Sequence, residues 1–202
     1  MYLVLTDILG CPRCGPEQGL IVLSNRMVDR RIIQGRLGCP ICESQYPIQG
    51  GVADLRTEDV RESAAEPPAH SALELAALMG VTSGPGFALL SGGTPALARE
   101  LAQTVPDLEW IVLAPAFSAE QEQGGVNRIS VNDGSVPLRG HSLRGAIVLD
   151  HGRDLPAIAN ALRPAARLVY AQPDDAATAR VSALGMRVLA RTDALLVAER
   201  SS

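Results

Sequence analysis

The chain has 202 residues, 47% of them hydrophobic but only 3% aromatic, which allows one ordinary domain plus a small one around a core of Leu, Val, Ile and Ala. Its net charge is −4; residues 1–56 carry six Arg against five acids, or +1, which leaves −5 for the remainder. Neither part has the basic field that holds phosphates, and few aromatics mean few stacking platforms, so a stand-alone nucleic-acid binder is not expected.

The opening run Met1–Leu5 lacks a basic flank and meets Asp7, so it does not read as a signal peptide, and no apolar stretch has the length of a membrane span. The expectation is a cytoplasmic protein with no membrane partner.

All four cysteines lie in residues 1–56, as Cys11-Pro12-Arg13-Cys14 and Cys39-Pro40-Ile41-Cys42, two C-x-x-C knuckles separated by 24 residues. Each knuckle points two thiolates at one spot, and two knuckles complete the tetrahedron of soft ligands that structural zinc prefers. Disulfides need an oxidising compartment, a redox dithiol is normally a single motif, and free core cysteines would not fall into pairs; a four-cysteine iron–sulfur cluster is the remaining competitor. With no open coordination position, the metal is expected to hold the fold together rather than react. Gly10, Gly15 and Gly38 suit the knuckle turns, and Leu20–Ser24 with Arg30–Leu37 predicts a hairpin, hence a zinc ribbon.

Residues 57–70, acidic, small and interrupted by Pro67-Pro68, read as a linker. From residue 71 to 202 strands and helices alternate. Ser71 and Glu74 form a capping-box pattern for a helix carrying Leu75, Leu78 and Met79 and ending at Gly80. Strand Phe87–Leu90, the turn Ser91-Gly92-Gly93 and a helix capped by Thr94 with Pro95 at its first position follow. Strands are predicted over 109–114, 126–131, 145–149, 167–171 and 186–190, and helices over 117–123, 154–162 and 174–184. A turn at 191–193 returns the chain as 194–199. This pattern predicts a mostly parallel, Rossmann-like α/β sandwich with an antiparallel C-terminal hairpin.

Leu9-Gly10-Cys11-Pro12-Arg13-Cys14, Gly19-Leu20, Leu37-Gly38-Cys39-Pro40-Ile41-Cys42 and Tyr46-Pro47-Ile48-Gln49-Gly50-Gly51-Val52 together resemble the small zinc-ribbon activator subunit of tRNA, rRNA and protein methyltransferases and its short bacterial relatives. The resemblance covers residues 1–56, and the Tyr-Pro-Ile-x-x-Gly-Val tail is its distinctive part. It implies a non-catalytic ribbon that covers and stabilises a methyltransferase domain, in the same chain or in a partner. Residues 71–200, with the Leu162-Arg163-Pro164 turn and the closing hairpin, resemble a class I S-adenosylmethionine (SAM)-dependent methyltransferase.

The cofactor motifs depart from that family. Its first loop reads acid-x-Gly-x-Gly-x-Gly, where the best register here is Leu89-Leu90-Ser91-Gly92-Gly93-Thr94-Pro95, matching only at Gly93. The second strand ends Leu113-Ala114-Pro115 without the acid that grips the ribose hydroxyls, which also argues against NAD. After the third strand, Asp133 stands where the family contacts the adenine. Each lost charge-assisted pair costs about 2–3 kcal/mol, roughly a hundredfold in affinity. His151, beside Asp150, is a general-base candidate weighed against an ordinary solvated loop, which is preferred; His70 and His141 show no evident partner.

The expected site residues are therefore Cys11, Cys14, Cys39 and Cys42 for zinc and Gly93 and Asp133 for a weakened SAM site, with no catalytic residue. The function expected is a methyltransferase-like assembly or regulatory protein that binds another protein, a methyltransferase or a second copy of itself. The alternative is an active SAM-dependent methyltransferase with its activator fused in cis.

Overall fold

A single eleven-stranded sheet runs through both parts of the chain in a computed structural model that describes residues 1–58, 70–114, 117, 124–150 and 153–201. The first part begins with a 3-10 turn, Leu3–Asp7, and a two-stranded pair, β1 (Gly10–Cys11) and β2 (Gly15–Gly19). Four strands follow: β3 (Ile21–Val28), β4 (Arg31–Gly38), β5 (Gln45–Gln49) and β6 (Val52–Asp54). They form an antiparallel meander. The predicted hairpin is present and longer than expected. Its turn residues Asp29 and Arg30 have φ of 45° and 63°, the conformation of a two-residue turn that matches strand twist.

The second part contributes α1 (Ala72–Met79), β7 (Gly86–Ser91), α2 (Pro95–Thr104), β8 (Leu108–Ala114), β9 (Val126–Ser130) and β10 (Leu143–Val148). It continues with α3 (Leu155–Ala161), β11 (Leu162–Ala171), α4 (Ala177–Ala183), β12 (Met186–Arg191) and β13 (Leu195–Arg200). β11, β10, β7, β8 and β9 are parallel neighbours, and β13 lies antiparallel between β11 and β12. This is the expected Rossmann-like α/β sandwich with its C-terminal hairpin. The predicted helix over 117–123 lies outside the described residues except Phe117, as do most of 57–70.

Helix ends follow local chemistry. Ser71 Oγ accepts from Glu74 N (3.2 Å), and Gly80 closes α1 at φ 74°. The reciprocal half of the capping box does not form, because Glu74 Oε1 lies 3.2 Å from His70 Nδ1, which gives His70 the partner its sequence context did not suggest. Thr94 Oγ1 accepts from Leu97 N at α2, and Asp154 Oδ1 from Ala157 N at α3.

The two parts meet where β6 pairs parallel with β9, Ala53 opposite Ile129 and Asp54 opposite Ser130. Around this seam, Asn132 holds Thr57, and Leu9 and Gly10 bridge to Pro137 and Leu138. Arg31 Nη2 donates to Glu109 Oε1 at 2.6 Å, while Asn127 Nδ2 donates to Glu109 Oε2 and Asn127 Oδ1 accepts from Tyr2 N.

Two apolar clusters cover the sheet. One packs α1 and α2 on Leu90, Trp110, Val112 and Ile147. The other packs α3 and α4 on the opposite face and continues without interruption into Leu5, Ile32, Leu37, Tyr46 and Ile48. Cys11 and Cys39 belong to this second cluster, so the cysteine-rich part shares its core with the sandwich. No helix among the described residues is long and apolar enough to cross a membrane.

Candidate metal centre and the carboxyl edge of the sheet

β1 and β2 wrap the first knuckle, and the β4–β5 connection carries the second. Gly10 is required at its position, since a Cβ there would meet the Pro16 backbone at 2.4 Å. The second knuckle closes by Cys39 N to Ser44 O and Glu43 N to Cys39 O, each 3.0 Å. The four cysteines are free thiols whose sulfurs all lie within 4.8 Å of one another.

Cys11 and Cys42 sulfurs are 3.7 Å apart, and Cys39 and Cys14 sulfurs 3.8 Å. Four sulfurs about 2.3 Å from a central zinc stand about 3.8 Å from each other. The donor set therefore fits a tetrahedral thiolate metal site. Alone, the thiols do not ionise evenly: hydrogen bonds with Ser44 hold Cys42 down at about 6, while Cys42 itself, with desolvation next, pushes Cys14 up to about 12. A divalent cation removes that conflict by favouring every thiolate. Tyr46 Oη lies 3.5 Å from Cys11 Sγ. Burial first, then the Cys11 sulfur, pushes its phenol upward, so it stays protonated and able to donate to a thiolate.

In an open α/β sheet, ligands bind beyond the carboxyl ends of the strands where strand order reverses. Here that point lies between β7 and β10. The loop after β7 closes onto the segment after β10: Gly92 has φ 76°, and a Cβ on it would meet Asp150 N at 2.5 Å. Leu149 N donates to Ser91 O across the same gap. Gly93 is half-buried over Leu90, and Asp133 is exposed in the turn after β9. The fold brings both to the carboxyl edge of the sheet, at strands separated by β8.

Arg153 lies at the same edge of the sheet. Its side chain is 4% exposed; Nε donates to Ser91 Oγ at 2.7 Å and to Asp150 Oδ2 at 2.8 Å. Nη1 lies 3.4 Å from Ser135 O and Nη2 3.5 Å from Leu113 O. One guanidinium thus touches the ends of β7 and β8 and the segments following β9 and β10. Sequence reasoning missed Arg153 and Ser91; the only signal was an arginine shortly after an apolar strand. Asp150, paired with His151 in sequence, pairs with Arg153 in space, and His151 lies outside the described residues. At α2, Pro95 brings no N–H and Thr94 caps Leu97, so the helix start offers fewer free donors than a phosphate- or carboxylate-binding turn.

No family model matches the chain, and no curated protein matches it. Among solved structures, the [4+2]-cyclase SpnF aligns with TM-score 0.50 and 13% identity, covering 64% of this chain and 79% of that one. The antibiotic-resistance methyltransferase Kmr aligns with TM-score 0.47 and 14% identity, over 67% of this chain and 95% of that one. A chain from a complex containing the Haloferax volcanii Trm112 methyltransferase activator aligns with TM-score 0.48 and 14% identity, over 65% and 88%. These likenesses concern fold: the chain shares a Rossmann-like α/β fold with SpnF and has four cysteines placed to hold a metal.

Proposed function

We propose that this chain is a zinc-stabilised, methyltransferase-like protein that transfers no methyl group and works by binding another protein. The observation that carries this reading is Arg153, whose side chain fills the strand-order reversal with donors directed at Ser91 and Asp150. A nucleoside cofactor entering there must displace a buried, paired guanidinium, and leaving Asp150 without its partner is costly. SAM also carries a cationic sulfonium, which a fixed arginine repels. The missing ribose acid after β8 adds to the same effect.

In this reading Cys11, Cys14, Cys39 and Cys42 hold one Zn²⁺, which supplies a four-way crosslink and no reaction. The residues around it act as an activator-like ribbon fused in cis. The β6–β9 pairing and the common apolar cluster support that role, since they let the ribbon cover the outer strand of the parallel sheet. Titration calorimetry of the zinc-loaded protein with SAM is expected to give no saturable heat at micromolar concentrations. A low-micromolar dissociation constant would refute the reading.

A further inference from the structure

Four thiolates around one divalent ion carry a net charge of about −2, and the cost of that charge depends on what surrounds each sulfur. The four sulfurs here differ. Cys14 and Cys42 are exposed, so water can hydrogen-bond them. Cys11 and Cys39 are 1% and 4% exposed and belong to the apolar cluster that also holds Leu9, Leu37 and Ile48. Charge on a buried sulfur is stabilised only by donors that the protein itself supplies. The N–H groups of Arg13 and Cys14 come to Cys11 with the first knuckle. One further donor does not: the phenol of Tyr46, whose Oη lies 3.5 Å from Cys11 Sγ.

Tyr46 reaches that sulfur because of where β5 starts. The strand leaves the second knuckle and alternates exposed and buried residues, with Tyr46 and Ile48 buried. Pairing with β4 sets Tyr46 opposite Leu37, just before Cys39. A side chain on the strand that follows the second knuckle thus meets a ligand from the first, 35 residues away in the chain. A phenylalanine would satisfy burial alone, and a buried hydroxyl without a partner is costly. A metal-bound thiolate has no proton, so in this contact the phenol is the donor.

We infer that Tyr46 is a positioning residue of the metal centre: its hydroxyl donates to the Cys11 thiolate and offsets charge that the apolar surroundings cannot. That role presupposes the four-cysteine zinc site proposed above. Ser44 provides the contrast, since its Oγ lies 3.3 Å from the exposed Cys42 sulfur, where water can take its place.

Zinc affinity of the full chain, read by competition with a chelator at fixed pH, is expected to fall about tenfold in Tyr46→Phe and by less than about threefold in Ser44→Ala. Affinity also responds to a loosened core, so cobalt(II) loading supplies a second reading. The thiolate-to-cobalt charge-transfer band should move to longer wavelength in Tyr46→Phe, because a thiolate that loses a donor gives up an electron more readily. 3-Fluorotyrosine in place of Tyr46 keeps the ring and the hydroxyl, donates more strongly, and should move the band to shorter wavelength; it decides the matter if Tyr46→Phe holds no metal. An unchanged band in either variant, or a Tyr46→Phe affinity equal to that of the wild type, would overturn the inference while leaving the zinc site standing. A wild type that takes up neither metal would overturn the site itself and the inference with it.

Discussion

Cys39→Ser is expected to yield a protein with no bound zinc and no cooperative thermal transition, as read by metal analysis and circular dichroism. Cys39 is 4% exposed and packs within the apolar cluster that extends under β8, β9 and β10. Structural zinc in small ribbons contributes about 10–16 kcal/mol at neutral pH. A whole domain is stable by only about 5–15 kcal/mol. Loss of the metal therefore exceeds what the rest of the fold can supply. Because Leu5, Ile32, Leu37 and Ile48 share one cluster with Leu89, Ile111 and Ile129, the disruption should reach the sandwich instead of stopping at residue 56. A strong chelator should reproduce the result on the wild type, with near-UV signals of both parts lost together. A sandwich that melts unchanged after metal removal would contradict the shared core.

The second large effect is expected at the seam. Glu109→Ala should destabilise the chain by about 2 kcal/mol in denaturant unfolding, because it strands Arg31 in a mostly covered position and removes an acceptor from Asn127. The figure lies below that for a fully buried pair because the Arg31 and Glu109 side chains retain 15% and 18% exposure. Replacing both with apolar residues, Arg31→Met with Glu109→Leu, should recover most of the loss, since neither charge is then left unpaired. A double variant no more stable than Glu109→Ala would mean that the network acts through something other than charge pairing.

What the sequence disclosed and what it hid divide along physical lines. The cysteine knuckles were legible because metal ligation demands particular residues at short spacing. The caps at Ser71 and Thr94 were legible because one side chain satisfies a neighbour's N–H, whereas Asp154, expected inside its helix, caps it instead. The parallel strands were legible because their apolar runs are bounded by turn residues. The joining of β6 to β9 was not, since backbone pairing between residues 53 and 129 leaves no local signature. The Gly50-Gly51 turn, with φ of 54° and 78°, which was legible in the sequence only as part of the family-like tail, reverses the chain from β5 into β6. Arg153 was hidden for a similar reason: its meaning depends on Ser91, 62 residues away, and on the order in which β7 and β10 are laid side by side. Glu74 shows the opposite failure, a correct local motif whose second half lost to a competing partner, His70.

The most direct test is a crystal of the zinc-loaded protein soaked with S-adenosylhomocysteine. The account predicts electron density for the Arg153 side chain bridging Ser91 and Asp150, with no nucleoside beside it. An ordered adenosine at the ends of β7 and β8, with Arg153 swung aside, would contradict it.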